Sequence, residues 1–419
     1  MKTVSLQLLL ERIQKYISEN YSEVLLEGTE REDLENYTSH YIAQGEYKVD
    51  GYSTRQLIDT IYNEMGAQSI ITPYLHMDNV EEININSWDD IVIVYNNGKR
   101  EKLDQTFFTP IHAEDIVRRM LRDSGNTLDA GTPVVTGHID NKIRITAIAS
   151  GIVDNDKGVS AVIRIVNPLK LQKEDFVANG TATSELLDYI QTLYVYGAST
   201  CITGATGSGK TTLMSWILEQ IPYNKRLYTI EDGTREFDLV VRDNDGKILN
   251  NVIHTTTRKS EDPLKNITME KLLDTGLTFS PHYICLAEMK SDEAWSAQEA
   301  ARTGHAVITT AHANSCEATY RRLATLGARK YKSSYNEVIE LMYEAFPIVI
   351  FTKQEEDGQR RIMEVTECCW DVGQVPKFKS LWKFDVYTGE FVKGEPISNS
   401  LMKLLEFNGL PTEKKQMFI

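Results

Sequence analysis

The chain has 419 residues, 45 basic against 60 acidic side chains, a net charge of −15 and 41% hydrophobic residues. That length leaves room for two or three domains with cores of their own, and the composition excludes wholesale disorder. The acidic surplus argues against a general nucleic-acid coat, which needs excess Lys and Arg to neutralise phosphate.

In chain order, Leu6, Leu9, Leu10, Ile13 and Ile17 recur at helical spacing and predict one amphipathic helix. A polar, acidic, Tyr-containing stretch from Ser18 to Ser53 follows, then a second helical pattern through Leu57, Ile58, Ile61 and Met65. Residues 1–65 therefore read as a helical extension. From about Glu81 the period becomes two. Ile83, Ile85 and Ile91 to Val94 predict strands, with a turn at Asn96-Asn97-Gly98. A helix through Ile116, Val117, Met120 and Leu121 precedes strands at Lys142–Ile148 and Ser160–Ile165. These make a small α+β domain over residues 66–166. Residues 167–184, with Pro168, Gly180 and little regular pattern, read as a linker. Beyond it, over residues 185–419, a helix with Leu186, Leu187, Ile190 and Leu193 opens an α/β rhythm. Short strands return from Pro347 to Val392, with Glu356-Asp357-Gly358 as a hairpin turn.

One motif decides the class. Thr200-Cys201-Ile202 ends a short buried strand that leads into Gly204-Ala205-Thr206-Gly207-Ser208-Gly209-Lys210-Thr211-Thr212. Leu213, Met214, Trp216, Ile217 and Leu218 then continue as a helix. This is GxxxxGK[ST] in its required strand–loop–helix context. The glycines let backbone N–H groups turn inward around phosphate, and the helix N-terminus adds its positive dipole end. Lys210 reaches the β- and γ-phosphates, and the Thr211 hydroxyl completes a Mg²⁺ shell. The loop is expected to bind a nucleoside triphosphate.

Hydrolysis also needs carboxylates near metal and water. Arg226 to Ile230 runs into Glu231-Asp232-Gly233-Thr234-Arg235-Glu236, and Tyr283 to Ala287 runs into Glu288. In a parallel sheet the strand C-termini share one edge with the phosphate loop, so these acids can converge there. Thr303-Gly304-His305 leads through another buried strand to Thr310 and His312 at that edge.

With these residues the sequence resembles the type II/type IV secretion ATPase family, nearer its conjugation and tight-adherence branches. The resemblance runs from about Gly66 to about Val392. It rests on the GATGSGKTT loop, an acidic box starting Thr229-Ile230-Glu231-Asp232, and a Walker B glutamate at Glu288 followed by Asp292-Glu293-Ala294. A histidine box from Thr303-Gly304-His305 to His312-Ala313-Asn314-Ser315 completes it. The resemblance implies a RecA-like P-loop NTPase domain behind a smaller α+β domain, with ATP and Mg²⁺ bound between them. Lys210 and Thr211 would hold phosphate and Mg²⁺, and Glu288 would order metal or water. The acidic box would supply the base, as Glu231 or Glu236, and His312 would sense the γ-phosphate. Arg144 and Arg164 would close on the nucleotide from the N-terminal domain. The resemblance also implies a homohexamer acting on an inner-membrane platform protein, without direct nucleic-acid binding.

Five positions depart from the family pattern. Glu236 lies five residues after Glu231 instead of four, and Ala287 replaces a Gly. Met289-Lys290 replaces Val-Arg, and Thr278 stands where an arginine is common, so another cation, Arg258 for instance, must replace it or hydrolysis is slow. Residues 240–251, around Asp243-Asn244-Asp245-Gly246, read as an inserted hairpin. These departures leave open a nucleotide-gated scaffold with little turnover. A RecA-like DNA translocase is the remaining alternative, against which the acidic charge weighs. Five cysteines without CxxC spacing read as reduced core thiols. With no signal-like start and no apolar run of about 20 residues, the expected location is cytoplasmic, peripheral to the inner membrane face.

Overall fold

The computed structural model describes residues 2–21, 31–139, 142–166, 170–258, 263–291, 293–329, 334–356, 358–371 and 373–419. Pro168, Asp292 and Asp357, which the sequence reading singled out, lie outside them. By contacts the chain divides into two units, Met1–Asn167 and Pro168–Ile419.

The first unit opens with β1 (Lys2–Thr3), α1 (Leu6–Asn20), α2 (Arg31–Gly45), β2 (Tyr47–Lys48) and α3 (Thr54–Gly66). Leu9, Leu10, Ile13 and Ile17 of α1 pack on Leu34 and Ile42 of α2 and on Leu57, Ile58 and Ile61 of α3. Ser53 starts α3 with a capping box to Gln56, an arrangement that satisfies two orphan donors at once. Helix α2 falls in the stretch that carried no pattern in sequence. Its buried face is only Leu34, Thr38 and Ile42, a stripe diluted by half-buried tyrosines.

Next come α4 (Thr72–Leu75), β3 (Val80–Ser87), β4 (Asp90–Tyr95), β5 (Arg100–Lys102), α5 (Pro110–Asp123), β6 (Val134–Ile139), β7 (Ile143–Ile148) and β8 (Ser160–Ile165). The strands form an antiparallel sheet in the order β5-β4-β3-β8-β7-β6. Ile116, Val117, Met120 and Leu121 of α5 bury against Ile83, Ile145 and Ile163 on one face of it. Strands β5 and β6 were not read from the sequence: β5 is short and charged, and β6 carries Gly137 and His138 among its apolar residues. Arg119 of α5 donates to the carbonyls of Met65 (2.7 Å), Ala67 (2.8 Å) and Glu64 (3.1 Å). It thereby closes the C-terminal turn of α3, where carbonyls lack helical partners.

The second unit begins with α6 (Lys173–Ala178), α7 (Ser184–Val195), β9 (Thr200–Thr203), α8 (Lys210–Glu219), β10 (Arg226–Glu231), β11 (Asn251–Thr256) and α9 (Met269–Leu277). It continues with β12 (Tyr283–Leu286), α10 (Glu293–Arg302), β13 (Ala306–Ala311), α11 (Cys316–Gly327), α12 (Tyr335–Ala345) and β14 (Ile348–Gln354). Last are β15 (Arg360–Cys369), β16 (Lys377–Asp385), β17 (Glu390–Lys393) and α13 (Asn399–Phe407). One sheet holds β9 to β17, in the order β11-β10-β12-β13-β9-β14-β15-β16-β17. It is parallel from β11 to β14 and antiparallel from β14 to β17. Helices α7, α8 and α13 cover one face, and α9 to α12 the other, so β9, β12 and β13 are buried throughout. Such two-faced burial is why these strands read as continuous apolar runs.

The expected linker is partly structured. Phe176 of α6 is buried against Trp216 of α8, with ring centroids 5.7 Å apart, so residues 170–184 pack as part of the second unit.

Candidate functional site

The site grows from strand order. Ala311 of β13 pairs with Thr203 of β9, and Leu286 of β12 pairs with Thr309 of β13, so the loops that follow leave one edge of the sheet together. Thr310 Oγ1 donates to the Ala287 carbonyl (2.7 Å), and Met289 N–H donates to the Thr310 carbonyl (2.8 Å). These bonds carry the alignment past the strand ends to Glu288.

The phosphate loop is held from beneath by β14. Ser208 Oγ and Thr352 Oγ1 lie 2.9 Å apart, and Thr352 Oγ1 also donates to the Thr203 carbonyl (3.2 Å). Gly204 has φ +153°, and a Cβ there would lie 2.2 Å from the Thr352 carbonyl oxygen. Only glycine fits that approach. Ala205, Thr206 and Gly207 are exposed at the tip, and Thr211 and Thr212 are half-buried in the first turn of α8. Gly209 caps α8 at φ 87° with no side-chain acceptor. The first N–H groups of the helix therefore receive no side-chain cap from Gly209.

Lys210 is 8% exposed and donates to the carbonyls of Gly204 (3.0 Å) and Ala205 (2.8 Å). Burial pulls its pKa below the ordinary value, with Glu288 acting in the opposite sense. His312 Nδ1 lies 3.2 Å from the same Gly204 carbonyl, and its Nε2 lies 3.0 Å from Glu288 Oε1. The other Glu288 oxygen meets Lys290 Nζ at 3.0 Å, and Lys290 reaches Asp232 Oδ2 at 3.4 Å. Burial opposes the Lys290 charge, but Glu288 and Asp232 outweigh it and raise its pKa. Lys210, the Gly204 carbonyl, His312, Glu288, Lys290 and Asp232 are therefore joined in one polar chain.

The two acidic-box glutamates differ sharply. Glu231 is fully buried, and its Oε1 accepts from Thr229 Oγ1 (2.8 Å) and lies 3.1 Å from His254 Nδ1. Its Oε2 accepts the backbone N–H groups of Glu236 and Phe237. Glu236 is half-buried. Burial foremost, and then the carboxylates of Glu231 and Glu236, push the buried Cys285 thiol well up. Cys285 touches Met214 of α8 at 3.9 Å.

Two further residues were not read as site residues. Arg360, the first residue of β15, donates from Nε to the Gly207 carbonyl (2.8 Å), and its Cδ lies 3.3 Å from where a Gly209 Cβ would stand. Nothing in the local sequence marks it, because β15 reaches the loop only through β14 lying beside β9. His254 is the other. Thr278 caps the C-terminus of α9 and bonds its own helix at the Thr275 carbonyl (2.7 Å). It precedes β12, so it lies toward the sheet edge opposite the loop. Arg258 follows the C-terminal end of β11, two strands from β12 and roughly 10 Å from its line at ordinary strand spacing. Lys290 is the cation that meets Glu288. Arg144 and Arg164 belong to the first unit, as directly paired residues of β7 and β8.

The residues fit a nucleotide with its metal: a bare helix N-terminus, a glycine cradle, a buried ammonium, and Thr211 with Glu288 as oxygen donors. No cluster of three or more His, Cys, Asp or Glu suited to a metal occurs among the described residues. Mg²⁺ usually takes one or two protein oxygens together with phosphate and water, which Thr211 and Glu288 would supply.

A family model described as type II/IV secretion system protein matches residues 142–364, more than half of the 419 residues. The chain belongs to this family. Among relatives, the type IV secretion system protein VirB11 of Brucella suis biovar 1 is 34% identical over 170 residues, covering 39% of this chain and 45% of the relative. The type IV secretion system protein PtlH of Bordetella pertussis is 29% identical over 185 residues, 42% of this chain and 52% of the relative. The chain thus spans about half the length of these relatives. The crystal structure of the Legionella pneumophila ATPase DotB aligns with TM-score 0.50 at 19% identity, over 75% of this chain and 80% of that one, a likeness of fold. This type II/IV secretion system family member has the α/β architecture expected, an α+β unit followed by a RecA-like one. Among its described residues no helix is long and apolar enough to cross a membrane.

Proposed function

We propose that this family member is an ATPase that converts hydrolysis to ADP and phosphate into motion of a secretion, conjugation or pilus machine. The observation that carries the reading is the unbroken polar chain from Lys210 through Gly204, His312, Glu288 and Lys290 to Asp232. A structural Gly-rich turn has no use for it.

In this reading the α8 N-terminus and Lys210 bind the β- and γ-phosphates. Mg²⁺, held by phosphate, Thr211 and Glu288, offsets charge on the transferred group. His312 stands where a γ-phosphate would be sensed. Glu236 is the proposed base, since Glu231 already accepts from several donors inside the core. Lys210 must leave its loop carbonyls for phosphate, and Lys290 then keeps Glu288 and Asp232 from repelling each other. Arg144 and Arg164 are the proposed guanidinium pair for the nucleotide. They lie opposite each other on the sheet face away from α5, in a row with His138 and Glu82. Like charges directly opposed weaken a sheet; Glu82 is paired with Arg164 but not with Arg144, so a bound anion would relieve the Arg144 side. The proposed assembly is a homohexamer at the cytoplasmic face of the inner membrane, acting on a membrane platform protein and not on nucleic acid.

The test is steady-state ATP hydrolysis by wild type and Glu288→Gln over a range of protein concentrations, with nucleotide binding measured alongside. Turnover lost in the variant, and rising faster than linearly with concentration, is the expected result. Binding without turnover in the wild type would replace the motor with a nucleotide-gated scaffold.

A further inference from the structure

Glu231 has a partner from outside the four motifs. His254 lies on the edge strand β11, directly paired with Thr229 of β10. Its side chain is 8% exposed. Its Nδ1 lies 3.1 Å from Glu231 Oε1 and 3.0 Å from Thr229 Oγ1, while its Nε2 is buried without a hydrogen-bond partner among the described residues. A buried imidazole with one nitrogen unsatisfied is retained against a desolvation penalty. The contacts that offset this penalty are those at Nδ1. A carboxylate only accepts, so Nδ1 is the donor. Glu231 in turn fixes the backbone N–H groups of Glu236 and Phe237. The path from His254 to the Glu236 backbone is one carboxylate long.

The insertion that precedes β11 has a place in this path. Arg242 and Ile248 bridge as a hairpin, and Asp243 Oδ1 accepts the N–H groups of Asp245 (3.0 Å) and Lys247 (2.9 Å) at its turn. At its base Asn250 accepts from Val241 N–H (3.0 Å) and donates to the Leu239 carbonyl (2.7 Å). Asn251, the next residue, begins β11. Thr255 Oγ1 then anchors that strand to the Thr229 carbonyl (2.7 Å). A one-residue slip in β11 would turn His254 to the other face of the sheet, so the clamped hairpin base sets which side chain meets Glu231.

We propose that His254 is a positioning residue for hydrolysis, acting through Glu231 on the loop that carries Glu236, with the 240–251 hairpin setting its register. This rests on the proposed ATPase reading and deepens it.

Two measurements on the full chain test it. The first is amide hydrogen exchange at Glu236 and Phe237 in wild type, His254→Ala and His254→Asn, which needs no turnover. Asn places an amide donor where Nδ1 stands, so His254→Asn is expected to keep the wild-type protection and His254→Ala to lose it. Phosphate-loop peptides should be unchanged. Equal protection in all three overturns the proposal, whatever the activity. The second is kcat and KM for ATP in His254→Ala, with and without Glu236→Gln. The expected result is a kcat lowered about tenfold at unchanged KM, restored by Asn. In the Glu236→Gln background His254→Ala should add no further loss. An equal loss in both backgrounds means a merely structural histidine and overturns the proposal. Absence of turnover in the wild type overturns the ATPase reading instead, and leaves the exchange result to decide the positioning.

Discussion

His312 bridges Gly204 and Glu288: its Nδ1 stands 3.2 Å from the Gly204 carbonyl and its Nε2 3.0 Å from Glu288 Oε1. A change at the loop is thereby felt at the carboxylate. His312→Ala is expected to lower kcat by about 10²-fold, in the range of a displaced polar group in the transition state, with ATP affinity changed less. Single-turnover hydrolysis beside equilibrium binding of a fluorescent ATP analogue measures both. Loss of affinity equal to the loss of rate would make His312 a ground-state ligand and not a sensor.

Lys210 predicts a pH dependence. Its folded pKa is below the ordinary 10.5 because burial disfavours the ammonium. Between the lowered value and 10.5 the unfolded chain binds more protons, so the nucleotide-free protein gains stability as pH rises through that window. Phosphate favours the ammonium, so ATP binding there takes up a proton and weakens with rising pH. The ATP-induced rise in melting temperature should shrink from neutral pH toward 10.5. Lys210→Arg, which stays charged, should show a flatter profile wherever it binds.

Arg360 predicts a split between binding and chemistry. Its bond to the Gly207 carbonyl and its stem over Gly209 hold the loop tip from outside. Arg360→Ala should raise KM for ATP several-fold by loosening the loop, with kcat nearly unchanged. The side chain is exposed, so the melting temperature should barely move. A fall in kcat with KM constant would place Arg360 in the chemical step.

Arg144 and Arg164 predict opposite signs for stability and activity. They pair directly across β7 and β8, and relieving such a like-charge pair stabilises a sheet by a few tenths of a kcal/mol. Arg144→Gln, whose cross-strand neighbours are Arg164 and His138, should leave the melting temperature unchanged or slightly higher while lowering turnover. Thermal melts without nucleotide, beside the ATPase rate, check this. Lower stability with normal turnover would return the pair to an ordinary structural role.

Much of this was readable from residues alone, for reasons of distance along the chain. The phosphate loop spans Gly204 to Thr212 without a break, so its glycines, lysine and threonine are placed by local geometry. Buried parallel strands declare themselves as apolar runs, which is why the acids after β10 and β12 and the histidine after β13 could be set on one edge. Helix α2 escaped because half-buried tyrosines blur its apolar stripe. Residues 170–184 escaped because only scattered contacts anchor them: Phe176 and Ala182 in the core, and the Thr181 carbonyl accepting from Ile362 N–H.

Which glutamate could serve as base was open in the sequence, since Glu231 and Glu236 sit in one short box. The tertiary structure distinguishes them: Glu231 faces inward to Thr229, His254 and two backbone N–H groups, and Glu236 does not share that core position. Lys290 as the cation at Glu288, Arg360 at the loop tip and His254 behind Glu231 likewise come from strands far apart in the chain. Local sequence determines what a segment of this protein becomes, because backbone geometry and burial act within a few residues. Which side chains meet depends on strand order and register, and these emerge only when β11, β10, β12, β13, β9 and β14 pair into one sheet.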